Sequence, residues 1–125
     1  MEKVNIWDVE GMEFPAGRRT RVLIGQNGAI QGERFCQGYV VIYKDGGIPE
    51  HIHETVESYT ILKGEGEMTV GEETQRVRAG DCIFIPSNQK HALYNKGSEE
   101  MHMMFVYSPS VIVDHWDQEK RGELR

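Results

Sequence analysis

Short stretches in which apolar and polar residues alternate recur along the chain, at 20–24, 34–43, 57–62, 66–70, 75–77, 81–85, 91–94 and 101–107. Successive side chains of an extended chain point to opposite faces, so this period of two marks strands with one buried face. Val, Ile, Tyr, Phe and Thr are frequent in these stretches, as suits a pleated, half-buried surface. Turn residues stand between them, at 25–28, 45–47, 71–73, 86–88 and 95–98, where Gly, Asn, Asp and Pro supply the dihedrals a reversal needs. No stretch before the last dozen residues holds a helical period. The pattern predicts one all-β domain, a sandwich or barrel. Within it, residues 1–33 supply N-terminal strands and an edge arm, 34–112 the barrel core, and 113–125 a short polar C-terminal tail.

The length of 125 residues suits one domain, long enough to bury its own core without staples. No apolar run approaches the roughly 20 residues of a membrane-spanning helix, and residues 1–8 lack the basic-then-apolar pattern of a secretory signal. The expected location is the cytoplasm, with no membrane partner. The net charge of −6 argues against nucleic acid, which requires a basic face. Arg18, Arg19 and Arg21 form the one basic cluster; the expectation for it is a solvated strand or an oligomer edge rather than an anion site. Cys36 and Cys82, the two cysteines, show no metal or redox spacing and are expected to be packed thiols.

Histidine placement changes the picture most. His51 and His53 are two apart, so in an extended chain both imidazoles leave one face. Glu57 and Tyr59 share that parity if no bulge intervenes near Thr55, and a second short strand offers His91. Three imidazoles and a carboxylate suit Zn, Fe(II), Mn, Co or Ni; without thiolates or an acidic cage they suit neither Cu(I) nor Ca. Ser87 and Ser108 have no adjacent base and no elbow motif, which leaves nucleophilic hydrolysis without support.

The residues between these groups resemble the two motifs of the cupins. His51-Ile-His53, Glu57 and Gly64 match the first; Gly80, Pro86, His91 and Asn95 match the second. The resemblance runs from about residue 34 to 109, with a short hairpin at 65–79 between the motifs. Two positions depart from the pattern. Asp45 stands where the first motif opens with glycine, and Asn88 where the second carries one. Asparagine tolerates positive φ better than other side chains, so the second turn survives.

A single-domain cupin implies a jelly-roll-like β-barrel holding one divalent transition metal per chain (Zn, Mn, Fe or Ni) through His51, His53, Glu57 and His91. If Glu57 stays off the metal, it is placed as a general base. The family's last strand ends here as Phe105-Val106-Tyr107-Ser108-Pro109, so Tyr107 joins Tyr59 and Glu57 as a candidate catalytic group. Met101, Met103 and Phe105 form an apolar wall by the same parity, while His102 faces outward and His115, in the tail, is no ligand. The implied activity is Lewis-acid isomerase or lyase chemistry on a sugar or organic acid derivative. Small cupins acting on unsaturated uronates are the nearest chemical precedent, although they carry an acidic residue where Phe105 stands. The alternatives are a dioxygenase using iron or a similar redox metal and a non-catalytic small-ligand binder. Small cupins usually pair sheet edges, so a homodimer is expected through the edge at 1–21.

Overall fold

The computed structural model describes residues 1–110; the expected tail at 113–125, and His115 with it, lies outside the described residues. Among the described residues there are eleven strands: β1 Met12–Phe14, β2 Arg18–Gly25, β3 Ile30–Gln31, β4 Cys36–Ile42, β5 Gly47–His51, β6 Val56–Lys63, β7 Glu65–Val70, β8 Glu73–Arg78, β9 Cys82–Ile85, β10 His91–Asn95 and β11 Met101–Ser108. All eight stretches of alternation fall on strands. Among the described residues the one helical element is a 3-10 turn, Ile6–Asp8, capped by the Asn5 side chain, which accepts from Trp7 N at 2.9 Å.

The strands form two sheets. One has the order β1-β2-β4-β11-β6-β9, with β3 pairing β2; the other has the order β5-β10-β7-β8. They face each other across one core and are not joined by strand pairing. The fold is an all-β jelly roll of two facing sheets, as expected from the sequence. Antiparallel register sets the inward rows of the larger sheet. Cys36, Tyr107, Glu57 and Ile85 make one row; Gly38, Phe105, Tyr59 and Ile83 the next; Thr20, Val40, Met103 and Ile61 a third. Ile48, Met68, Val77 and Leu93 close the core from the smaller sheet. Met101, Met103 and Phe105 are all buried there, as the alternation on β11 requires.

Three strands were not legible in the pattern: β1, β3 and β5. Strand β5 reads Gly-Ile-Pro-Glu-His and looks like a turn. It is tolerated because it forms a sheet edge, pairing with β10 alone, where the missing N–H of Pro49 breaks no ladder.

The basic cluster divides. Arg19 and Arg21 hold the N-terminal segment, Arg19 by an ion pair to Glu13 at 2.8 Å and Arg21 by donating to Val9 O at 2.8 Å. Arg18 is only 1% exposed, which overturns the solvated reading for that residue. It shares its strand face with Thr20, and that face looks into the core. Cys36 is buried as expected; Cys82 is exposed, against expectation, because it alternates with the inward Ile83 and Ile85 on β9 and so faces outward with Phe84. His102 leaves the core for the outer face, where Tyr39 Oη lies 2.6 Å from its Nδ1 and the Trp7 ring packs beside it.

Candidate metal centre

Four side chains converge between the sheets. His51 ends β5, His53 lies just beyond it, Glu57 opens β6 and His91 opens β10. The chain crosses from the smaller sheet to the larger one between His51 and Glu57. Strand parity alone therefore does not align these side chains; a sheet-to-sheet crossing brings His53 and Glu57 together. One ligand atom from each of the four residues lies within 4.8 Å of all the others.

The backbone fixes each imidazole. His51 Nδ1 donates to Pro49 O at 2.8 Å, His53 Nδ1 to Thr55 O at 3.1 Å, and His91 Nδ1 to Gln89 O at 2.9 Å. A carbonyl oxygen can only accept, so in each ring the hydrogen sits on Nδ1, and the neutral ring carries its lone pair on Nε2. Thr55 Oγ1, 2.6 Å from His53 Nδ1, adds a second contact on the same nitrogen. Outer contacts of this kind set the tautomer of a metal-binding histidine.

Glu57 Oε1 lies 3.1 Å from His53 Nε2 and 3.3 Å from His91 Nε2, contacts that a shared proton or a metal cation would bridge. His91 is 0% exposed and its Nε2 has no hydrogen-bond partner. An orphaned buried acceptor costs free energy unless something electropositive meets it. Burial, followed by the neighbouring His91, holds the His51 imidazole well below its usual range, so it stays neutral and able to donate electrons. The residues fit a divalent transition metal.

The same cavity, with free space of about 20 Å³, continues inward past Tyr59, Met103, Phe105 and Tyr107. That is about the room of one water molecule, well below the range for ligand pockets. Tyr59 and Tyr107 are both buried in its wall. Burial, and then a hydrogen bond with the Cys36 thiol, push the Tyr107 phenol far above its usual range. Arg18 and Thr20 also line this cavity, and they were not singled out in the sequence as site residues. The available signal was their shared parity on β2, obscured because Arg19 and Arg21 make the whole stretch look solvated.

Fold and site together define the class. The cupin domain family matches residues 38–107, and the chain belongs to that family. It is similar to an uncharacterized protein of Aquifex aeolicus, 32% identical over 72 residues, the match covering 58% of this chain and 59% of that one. It is also similar to the dimethylsulfoniopropionate lyase DddQ of Ruegeria pomeroyi, 36% identical over 73 residues, covering 56% of this chain and 35% of the lyase. The match thus spans less than two thirds of either relative. Among solved structures, a predicted oxalate decarboxylase of Thermotoga maritima superposes with a TM-score of 0.78 at 18% identity, covering 86% of this chain and 99% of that one. At that identity the likeness shows the fold alone.

Proposed function

We propose that the chain is a metal-dependent enzyme in which His51, His53, Glu57 and His91 hold one divalent transition metal. The proposed activity is lyase- or isomerase-type chemistry on a small oxygenated acid or sugar derivative. The observation that carries this reading is the convergence of three backbone-fixed imidazoles on one buried carboxylate. A bound metal supplies Lewis-acid polarisation of substrate oxygens; zinc, manganese, iron and nickel all suit the donor set.

The chain's own residues orient substrate and handle protons. Tyr107, held protonated, acts as a hydrogen-bond donor and not as a base. Tyr59, beside Phe105 in the adjacent row, offers a second hydroxyl. Val40, Ile48 and Met103 exclude water around them. Glu57 is the carboxylate among the described residues lining the cavity, and it serves as ligand or as proton acceptor. The named lyase among the relatives supports the lyase side of the reading. Met103 in the wall weighs against an oxygen-activating centre, because thioethers oxidise.

A panel of hydroxy acids, keto acids and sugar acids, offered to the metal-loaded protein and to Glu57→Gln, tests this. Turnover by the wild type and a loss of about a hundredfold or more in the variant are expected. Retained metal in the variant would assign Glu57 as base, and lost metal as ligand. Binding of panel members without turnover would make the protein a binding module instead.

The homodimer is proposed on the β1 edge, where Met12 and Glu13 are exposed and one side of the strand is unpaired among the described residues. Light scattering should report a dimer, and a monomer after deletion of residues 1–12; an unchanged mass contradicts it. No helix among the described residues is long and apolar enough to cross a membrane. We place the protein in the cytoplasm, and cell fractionation checks that placement.

A further inference from the structure

The two sheets separate along one side of the molecule. Strand β9 ends the larger sheet and β8 ends the smaller one, and the two do not pair. Between them lies a cleft with free space of about 530 Å³, within the range of small-molecule pockets. The cavity at the metal centre offers about 20 Å³, so a molecule of several atoms finds its room in the cleft instead.

The inner faces of both sheets wall this cleft. Met68, Val70, Gln75 and Val77 come from β7 and β8, and Ile83 from β9, with the exposed Phe84 beside it. Gln75 lies opposite Met68, so the two share the inner face. Yet Met68 is buried and Gln75 exposed, while Val70 and Ile83, also inward by parity, are half-buried. Here the inner face is open to solvent, and apolar side chains meet water across a gap wide enough for a ligand.

The cleft adjoins the four-residue cluster. Val70 lies directly opposite His91, and Glu73 opposite Val70. From the other sheet, Ile83 lies opposite Tyr59. Opposite residues of neighbouring strands have Cα atoms about 4.5–5.5 Å apart, so the cleft ends one strand spacing from His91 and Tyr59.

Its polar groups say what it takes. Arg76 alternates with the inward Gln75 and Val77, and its guanidinium lies 3.5 Å from Glu65. The Asp81 carboxylate accepts from Arg78 N at 2.8 Å. Glu73 stands in the inward row of Val70 and His91, and the Gln75 amide donates to it. Carboxylate and amide oxygens are acceptors, and an anion beside Glu73 would meet like charge. The cleft therefore suits a ligand with hydroxyl donors and no negative charge, its ring lying between the two apolar walls.

We infer that the cleft between β8 and β9 is the substrate's binding site, and that the substrate is an uncharged ring compound bearing hydroxyl groups. That the ligand is a substrate rests on the metal-centre reading above; that the cleft binds it does not. The ring lies between Met68, Val77 and Ile83, with one hydroxyl at Glu73 and Gln75 and another directed past Val70 towards the metal centre.

The test titrates the metal-free full chain calorimetrically with an aromatic ring, resorcinol, and a sugar ring, methyl glucoside. Their acidic counterparts, 3,5-dihydroxybenzoate and glucuronate, are titrated beside them. One uncharged ring is expected to bind, and its acid about tenfold more weakly or worse; the ring that binds tells an aromatic substrate from a sugar. Gln75→Trp, at an exposed position on an edge strand, should fill the cleft and abolish binding while melting as the wild type does. Glu73→Gln should narrow the gap between the ring and its acid, which a merely structural role for Glu73 would leave unchanged. The bound ring should also slow alkylation of the Cys82 thiol by iodoacetamide, since Cys82 lines the cleft and is exposed whereas Cys36 is buried. Binding by none of the four probes, an acid that binds as well as its uncharged ring, or wild-type binding by Gln75→Trp would overturn the inference. In the cobalt-loaded protein the same ring should shift the visible absorption of the cobalt; binding without a shift would overturn the substrate role. Protein that takes up no cobalt would overturn the metal centre and the substrate role with it, and leave ring binding in the cleft standing.

Discussion

In a His91→Ala variant, the thermal stabilisation that a divalent metal gives the wild-type protein is expected to disappear. His91 stands at the middle of the ligand group, its ring centroid 4.1 Å from that of His51 and 4.9 Å from that of His53. It is also the fully buried member, with an Nε2 that meets no hydrogen-bond donor. A ligand that binds only the folded state stabilises it by about 4 kcal/mol when present at a thousand times its dissociation constant. For a domain near this size that corresponds to a rise in Tm of roughly 15–20 °C. Without metal, the substitution should cost less, about 2 kcal/mol, because lost packing and the lost bond to Gln89 are partly offset by removal of the orphaned nitrogen. Melting curves with and without zinc separate the two effects. A variant that keeps the wild-type shift would show that His91 is not a ligand.

Gly46→Ala is expected to destabilise the protein by about 3 kcal/mol or more, as overpacking against backbone does. A Cβ on Gly46 would stand 2.0 Å from Gly17 O and 2.9 Å from Gly17 C. Neither atom can swing aside as a side chain could. The turn has no room to retreat, because Gly46 N donates to Tyr43 O at 2.9 Å and Asn95 N donates to Gly46 O at 2.9 Å. Asn95 itself is pinned by its side-chain amide, which donates to the carbonyls of Ile42, Tyr43 and Glu99. Strand β5 begins at the next residue and ends in His51, so a displaced turn also moves a proposed metal ligand. Asp45→Gly, one residue away, should change stability by less than about 1 kcal/mol, since glycine accepts positive φ readily. Urea unfolding of both variants checks the contrast; a Gly46→Ala protein as stable as wild type would contradict it.

That pair of neighbours explains a departure visible in the sequence. The first motif carries Asp45 where glycine is usual, with Gly46 one place later. Asp45 adopts φ 65, taking the left-handed conformation that the motif glycine would supply, and Gly46 supplies the missing side chain that lets Gly17 approach. Asn88, in the second motif, adopts φ 63 as its residue type led one to expect. Motif spacing therefore singled out the four residues that the fold brings together, and strand alternation brought out eight strands. Strand β5 stayed hidden because Gly47 and Pro49 are turn residues by propensity and strand residues by edge position. The inward face of Arg18 stayed hidden for a related reason. Burial of a guanidinium depends on Phe14, Gly47 and the cavity, which are brought to it from β1 and β5 and leave no trace in the local pattern. The crossing that aims Glu57 at His53 is likewise a matter of which sheet each strand joins, and periodicity carries no such information.

The most direct measurement is the metal content, by elemental analysis, of protein purified without a histidine tag, beside its His51→Ala variant. The account predicts about one zinc, manganese, iron or nickel per chain in the wild type, since one set of four ligands holds one ion, and little or none in the variant. A wild type that stays metal-free after reconstitution, or a folded variant with full occupancy, would contradict it.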